Sequence, residues 1–435
     1  RSVLYNLPTA GGKTIIFAEI ARRCAEHGTR VAILVHRDSL LQQASQKVAD
    51  CGLAYSVIAP GRNFYGDLVC IASKDTLVRR LGRHDFDLLV VDEAHRSPAK
   101  TFRKIFDAYP EARILGVTAT PCRTNGEGLD SVFDVLVKGP GIRELIDAGY
   151  LAEPVTYGPL KKLDLSGIRT VAGDYNLHDL ESFMDKPRVT GCSITEYKRL
   201  CWGQPAMAFC CSVRHAEDVA AEFRDAGFRS YHVSGEMPIA DIRDRIAGLA
   251  DGRVQVLASC DLASEGLDVP AVRAAILLRP TKSLIVYLQQ AGRALRVSPG
   301  KKDALILDHS GSFARFGLVD EERDWTLEGR KKRASAAGVA NVPVRQCPEC
   351  YMAHRPAPVC PACGHVYEIE ARAPETKTGT LEKIAAVALR RARQQEERKA
   401  RTYSELQELG RRRNYSIQWA MRRWVERGGD PAKAI

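Results

Sequence analysis

No apolar run in this 435-residue chain approaches the ~20 residues that cross a bilayer as a helix. The start also lacks a leader of basic and then apolar residues with a small-residue cleavage site, so a cytoplasmic setting with no membrane partner is expected. Acidic residues are short of basic ones, 53 against 64, which leaves a formal charge of +11 and a pI ≈ 9.0. That imbalance favours a polyanionic partner, although many basic proteins bind none. A methionine is missing from position 1, and Arg1 stands almost directly on the first apolar run, as expected of a fragment without its true N-terminus. Nothing in the chain reads as a nuclease constellation. With 45% hydrophobic residues there is ample material for a buried core, and the length suits two or three domains.

What is present begins at residue 2. Ser2-Val3-Leu4-Tyr5 reads as a short buried strand, and Ile15-Ile16-Phe17-Ala18 continues as an apolar helix. Between them, Leu7-Pro8-Thr9-Ala10-Gly11-Gly12-Lys13-Thr14 makes a turn that presents backbone N–H groups at a helix N-terminus, where the dipole favours anions. Lys13 is expected to reach the β- and γ-phosphates of ATP, and the Thr14 hydroxyl to ligate Mg2+. The general pattern opens on a glycine where this chain has Leu7, so an ordinary tight turn is the plain alternative. Downstream, the apolar run at 88–91 ends in Asp92-Glu93-Ala94-His95. Asp92 would hold Mg2+ through water, Glu93 would polarise an attacking water, and His95 would relay the nucleotide state. A helix cap is the bland use of two acids there. A cap does not account for a further apolar run, 114–117, that leads into Thr118-Ala119-Thr120-Pro121.

These motifs resemble the superfamily 2 helicases of the DEAH type, over about the first three quarters of the chain. Lys13-Thr14 matches motif I, with Ala10 where glycine is more usual, and Asp92-Glu93-Ala94-His95 matches motif II. Ile33-Leu34-Val35-His36-Arg37 looks like motif Ia, Ser73-Lys74-Asp75-Thr76-Leu77 like the segment that meets the nucleic-acid strand, and Thr118-Ala119-Thr120 like motif III. Ala208-Phe209-Cys210-Cys211-Ser212 is similar to motif IV and Ser264-Glu265-Gly266-Leu267-Asp268 to motif V. Gln289-Gln290-Ala291-Gly292-Arg293-Ala294-Leu295-Arg296 is similar to motif VI. The resemblance implies an ATP-dependent DNA helicase or translocase, with Ala10, Gly11, Gly12, Lys13 and Thr14 around the phosphates. It assigns arginine-finger work, worth roughly 10³–10⁵ in rate, to Arg293 and Arg296, with Gln289 orienting them or the water. Gly266 and Asp268 would lie at the same cleft, near the ribose. The bland readings are a solvated arginine-rich face and a common loop Gly-x-Asp. The family also carries an upstream adenine-reading segment, for which there is no room before Arg1.

The expected fold class is α/β: two tandem RecA-like P-loop domains, parallel sheets flanked by helices, plus a small zinc ribbon and a helical C-terminal tail. Residues 1–140 should form the ATP-binding domain, 141–190 a connector, and 191–325 the second RecA-like domain. A basic linker (326–345), a zinc ribbon (346–368) and a basic helical tail (380–430) should follow. Cys347, Cys350, Cys360 and Cys363 form two Cys-x-x-Cys knuckles whose thiolates can surround Zn2+ tetrahedrally. A redox pair would need only one knuckle, and disulfides do not suit a reducing compartment. His354 and His365 are left out, since four thiolates complete the site. The other nine cysteines read as small buried hydrophobes. The tail puts arginines at 390–401 and 411–413 near Trp419 and Trp424, which suits either a nucleic-acid contact or a tryptophan-anchored helix.

Ile306-Leu307-Asp308-His309-Ser310, Arg323-Asp324-Trp325 and the ribbon look closest to the RadD-type bacterial DNA-repair helicases and their phage relatives. That likeness implies repair or replication proteins as partners. Two other readings stay open: the motor of a restriction or phage-defence complex, and a zinc-ribbon nucleic-acid scaffold with a weak ATPase.

Overall fold

The computed structural model describes residues 2–35, 38–62, 66–123, 126–159, 163–171, 173–184, 187–260, 272–329, 343–367, 386–413 and 415–430. Motif V, with Gly266 and Asp268, lies outside the described residues, as do His36, Arg37 and the basic run at 330–333. Two compact units are present, Arg1–Tyr367 and Glu368–Ile435.

The first unit holds two large sheets, the first parallel throughout and the second parallel apart from one edge. Strands β1 (Ser2–Asn6), β2 (Val31–Val35), β3 (Ser56–Ile58), β4 (Val69–Ser73), β5 (Leu88–Asp92), β6 (Arg113–Thr118) and β7 (Val135–Lys138) line up as β3-β4-β2-β5-β6-β1-β7. Every β2 and β4 residue is buried, because helices cover both faces of a parallel sheet. Leu34 packs on one face with Phe102 and Ile105, whereas Ile33 and Val35 pack on the other with Phe17, Ala18 and Ala21. Register then does the positioning. Asn6 pairs with Thr118, and Asp92 with Val117, so β1, β6 and β5 end at one level. The phosphate loop, Glu93 and Thr118–Thr120 all leave the sheet at that edge.

The second sheet comprises β8 (Pro154–Tyr157), β11 (Ala206–Phe209), β12 (Ser230–Val233), β13 (Val256–Ser259), β14 (Ala274–Leu277), β15 (Ala304–Asp308), β16 (Arg345–Gln346) and β17 (Met352–His354). Its order is β12-β13-β11-β14-β15-β8-β17-β16. A separate two-stranded ribbon, β9 (Thr170–Val171) with β10 (Asp174–Tyr175), precedes β11. Two features depart from the pattern of the sequence. The stretch expected as a connector supplies β8, parallel to β15, and the cysteine ribbon adds β17 antiparallel to β8. The physical reason is the open edge of β8: its free N–H and C=O groups take Met352 and Ala353 opposite Tyr157 and Thr156.

Two further tethers run between the lobes. Leu129 N donates to Leu327 O at 2.7 Å, and Glu127 bridges to Gly329, so the chain returns to the first lobe after finishing the second. A Cβ on Gly128 would lie 2.1 Å from Leu327 O, which is why the crossing needs glycine. In the second lobe, buried Asp308 accepts from Ser310 N (3.1 Å), Ser310 Oγ (2.6 Å) and Phe313 N (2.7 Å), capping the helix Ser312–Phe316.

The second unit packs helices Ala386–Lys399, Tyr403–Arg412 and Ile417–Glu426 around Ala400, Leu406 and Ala420. Thr402 and Glu405 form a capping box at the middle helix. Trp419 and Trp424 pack partly into this core, Trp424 with its Nε1 donating to Asp430 O at 3.2 Å. Arg413 pairs with Glu396 and Arg423 with Glu397.

Candidate functional site

The loop after β1 is a cradle with little slack. Ala10 takes φ 66 and Gly12 φ 88, so Ala10 adopts the left-handed conformation that glycine would take more cheaply. A Cβ on Gly11 would lie 3.0 Å from both Leu7 Cγ and Pro8 O. Lys13 and Thr14 open the helix Lys13–Glu26 behind the loop. The Lys13 ammonium reaches back to Pro8 O (3.2 Å) and Leu7 O (3.4 Å). Its pKa is lowered, first by burial; Glu93 and Asp92 oppose this, and Arg293 and Arg296 reinforce it. Lys13 thus lies within electrostatic reach of four groups that come from two other motifs.

The acidic side is just as crowded. Burial first, and then the Glu93 charge, push the Asp92 carboxyl up to about 6 against the pull of Lys13. Glu93 itself sits at φ 51, ψ 50, a backbone cost of about 1–2 kcal/mol for a residue with a Cβ, of the kind concentrated at functional sites. Glu93 Oε2 lies 3.2 Å from His95 Nδ1, which is 3.3 Å from Thr118 Oγ1. Thr118 Oγ1 in turn donates to Thr120 O at 3.1 Å. The Asp-Glu-Ala-His segment and Thr118–Thr120 are therefore hydrogen-bonded partners as well as neighbours.

From the second lobe, the helix Leu284–Gly292 points its C-terminal end at the loop. A Cβ on Gly292 would stand 2.7 Å from Thr9 Cβ, so only glycine allows this approach. Arg293 is 7% exposed and follows directly, and Gln289 lies one turn earlier and is also buried. The Thr9 hydroxyl is buried without a hydrogen-bond partner among the described residues. The donor set fits Mg2+-ATP: three cations and an orphaned hydroxyl suit a polyphosphate, and two crowded carboxylates suit a divalent cation.

Cys347, Cys350, Cys360 and Cys363 converge, with all four Sγ atoms within 4.8 Å of one another. Cys347 and Cys363 are 3.6 Å apart and Cys350 and Cys360 3.7 Å. Thiolates on tetrahedral zinc, with Zn–S near 2.3 Å, stand about 3.8 Å apart, so the cluster fits that ion. Each knuckle turns through a left-handed residue after its second cysteine, Tyr351 at φ 65 and Gly364 at φ 75. Burial alone would raise the Cys347 thiol, but the Cys350 and Glu349 amides hold it down to about 6. Neither nearby histidine joins: His354 Nε2 pairs with Tyr367 OH at 2.7 Å.

Several residues that shape the cleft carried no signal in the sequence. Asn6 Nδ2 donates to Thr118 O (3.1 Å) and Ala119 O (3.0 Å), tying β1 to the turn after β6. Thr9, against Gly292, and Lys301, behind the arginines, are likewise visible only once the chain is folded.

Known proteins share this arrangement. Residues 1–123 match the family model of the type III restriction enzyme res subunit, and residues 196–298 that of the helicase conserved C-terminal domain. A 51.5 kDa protein of a Lactococcus phage (isolate 7-9) is 32% identical over 366 residues, covering 83% of this chain and 78% of its own. This chain belongs to the superfamily 2 helicases. It is an ATP-hydrolysing enzyme of that superfamily, with two helicase domains. IRC3 of Saccharomyces cerevisiae, named as an ATP-dependent helicase, is 28% identical over 337 residues, 72% of this chain and 49% of the yeast protein. The helicase chain thus spans about half the length of that relative. In fold it is similar to the Type ISP restriction-modification enzyme LlaBIII, solved bound to DNA, with a TM-score of 0.52 and 16% identity over 70% of this chain and 26% of the other.

Proposed function

We propose that this superfamily 2 enzyme couples ATP hydrolysis to movement along DNA, or to its unwinding, in the cytoplasm. The observation that carries the reading is the close approach of Gly292, which leads into Arg293 on one lobe, to Thr9 of the phosphate loop on the other, with Arg293 and Arg296 within electrostatic reach of Lys13. In this reading Lys13 and the amides of Ala10, Gly11 and Gly12 bind the phosphates. Thr14 and Asp92 hold Mg2+, which supplies charge neutralisation when bound. Glu93 orients the water, and His95 passes the state of Glu93 to Thr118. Arg293 and Arg296, with Gln289 beside them, meet charge that develops in the transition state, where such groups act most strongly. Gly266 and Asp268 are assigned to the ribose side on the motif alone. The four cysteines hold Zn2+. The likeness to RadD-type helicases in residues 306–310 and 323–325 supports DNA repair or fork rescue, with repair or replication proteins as partners.

Steady-state ATPase assays with single-stranded, duplex and forked DNA, and with RNA, test the proposal. Lys13→Ala and Glu93→Gln should each abolish nucleic-acid-stimulated turnover, while Glu93→Gln still binds ATP. Near-parental turnover in either variant would sink the assignment. A second reading, the motor of a restriction or defence complex, is supported by the restriction-subunit match of residues 1–123 and the DNA-bound LlaBIII likeness. It predicts duplex-stimulated ATPase and triplex-strand displacement without unwinding, and a separate nuclease or methylase subunit.

A further inference from the structure

The helix Leu284–Gly292 ends in three short-range turns: Arg293 N to Gln290 O, Ala294 N to Ala291 O and Leu295 N to Gly292 O. Such an end leaves carbonyls without intrahelical partners and carries the negative end of the helix dipole. Beyond those turns, the carbonyls of Ala294 and Arg296 find a donor in one side chain. The Lys301 ammonium donates to Arg296 O at 2.6 Å, to Val272 O at 2.8 Å and to Ala294 O. An ammonium has three protons, and all three are used. Ala294 and Arg296 belong to the turn that carries the cleft arginines, whereas Val272 lies two residues before β14. On the far side of the turn, Leu151 bridges to Arg296 and Ala152 N donates to Leu295 O at 2.8 Å. The turn is therefore held from two directions, and Lys301 is the only cation among its described hydrogen-bond partners on the β14 side.

We propose that Lys301 is a positioning residue for ATP hydrolysis: it ties the Ala294 and Arg296 carbonyls to that of Val272 and so sets where Arg293 and Arg296 stand in the cleft. The inference rests on the reading that those arginines serve the transition state. Lys301 touches no nucleotide in this role. Its loss leaves three carbonyls without their donor, and the turn shifts to find water. Misplacement of about 1 Å by a residue remote from the chemistry costs about 10²-fold in rate.

The role has a pH signature. Burial first, and then the neighbouring Arg273, bring the Lys301 ammonium down to about 8, against Asp303 and Cys201. Arg273 and Asp303 are an ion pair at 2.6 Å, and burial pushes the Cys201 thiol up to about 12, so as pH rises Lys301 loses its proton before Cys201 does. Below about 8 all three donors are in place. As pH rises through that value one is lost, and kcat should fall.

The test uses the full chain with saturating DNA. Lys301→Met keeps the length of the stem and removes the donors. Its kcat should drop about 10²-fold, its affinity for a non-hydrolysable ATP analogue should stay within about threefold, and the alkaline limb near pH 8 should vanish. Lys301→Arg keeps a cation that never deprotonates in this range, so it should recover part of kcat and also lack the limb. Arg293→Ala is the control for the underlying reading. If it hydrolyses ATP at the parental rate, the arginine assignment fails and the proposal falls with it. If Arg293→Ala is inactive while Lys301→Met keeps the parental kcat and pH profile, the arginines stand and the positioning role is overturned. Should Lys301→Met not fold, Lys301→Arg decides alone: a limb that persists near pH 8 overturns the proposal, and its loss supports it.

Discussion

At the scale of single residues, the cleft is built on tolerated strain. Ala10 and Glu93 both occupy left-handed backbone despite their side chains, and each adjoins a group assigned to catalysis. The two differ in what could relieve them. Glu93 is assigned its role through its side-chain carboxylate, whereas Ala10 is assigned to the phosphates through its backbone amide, which glycine keeps. Glycine at position 10 would remove a left-handed cost of about 1–2 kcal/mol. It would also loosen the unfolded chain, which returns about 0.4–1 kcal/mol. Ala10→Gly should therefore stabilise the protein by about 0.5–1 kcal/mol in urea unfolding. A destabilised variant would mean that the methyl's packing beside the second-lobe core outweighs backbone strain.

At the scale of elements, the cysteine ribbon proves to be part of a sheet. Its strand β17 closes the edge of β8, and Arg355 from the ribbon pairs with buried Asp320 at 3.0 Å, which Arg143 also approaches at 3.3 Å. Gln346 adds a side-chain bond to Gly158 O. A ribbon read from spacing alone would be expected to lose its metal without consequence beyond itself. The pairing gives a different expectation, because structural zinc contributes its binding energy to folding. Purified protein should carry one zinc per chain. Chelation should strip hydrogen-exchange protection from the β8 and β17 amides that pair across the edge, at Thr156 and Ala353, while leaving β1, β2, β5 and β6 protected. Zinc-free protein from reducing, zinc-replete expression would overturn the metal assignment. Unaltered protection at β8 after metal loss would overturn the mechanical link.

At the scale of the whole molecule, charge and architecture divide the labour. The cleft lies within Arg1–Tyr367, and the helical tail forms a compact unit of its own. Trp419 and Trp424 face partly into that unit's core, whereas Arg393, Arg398, Lys399, Arg401, Arg411 and Arg412 are exposed, so if the tail meets nucleic acid it does so through phosphate contacts. Such contacts add affinity without sequence choice, and each one lost flattens the log K against log salt slope by about 0.7 on single strands or 0.9 on duplex. A chain ending near residue 378 should bind DNA more weakly, with a shallower slope, and should keep basal ATPase. Equal affinity and slope from 50 to 200 mM salt, the range where such effects are large, would assign DNA binding to the two helicase domains alone.

Several inner strands of the two sheets were legible because they are short apolar runs, many β-branched, that a parallel sheet buries. The apolar runs at 2–5, 88–91 and 114–117 fall within β1, β5 and β6. The phosphate loop, the Asp92-Glu93 pair and the four cysteines were legible for a related reason: their chemistry needs fixed residue types at fixed local spacing. Nothing local announces that β8 leaves a connector to join the second sheet, or that β17 completes its edge. Both facts depend on unsatisfied backbone groups far away in the chain. Thr9 opposite Gly292, and Lys301 under Ala294 and Arg296, are of the same kind. Sequence determined which groups could do chemistry, because composition and short-range spacing are written there. Tertiary structure alone decided which groups hold them in place, because those contacts either join residues a hundred or more positions apart, as at Asn6 and Thr9, or depend on how a local turn folds back, as at Lys301.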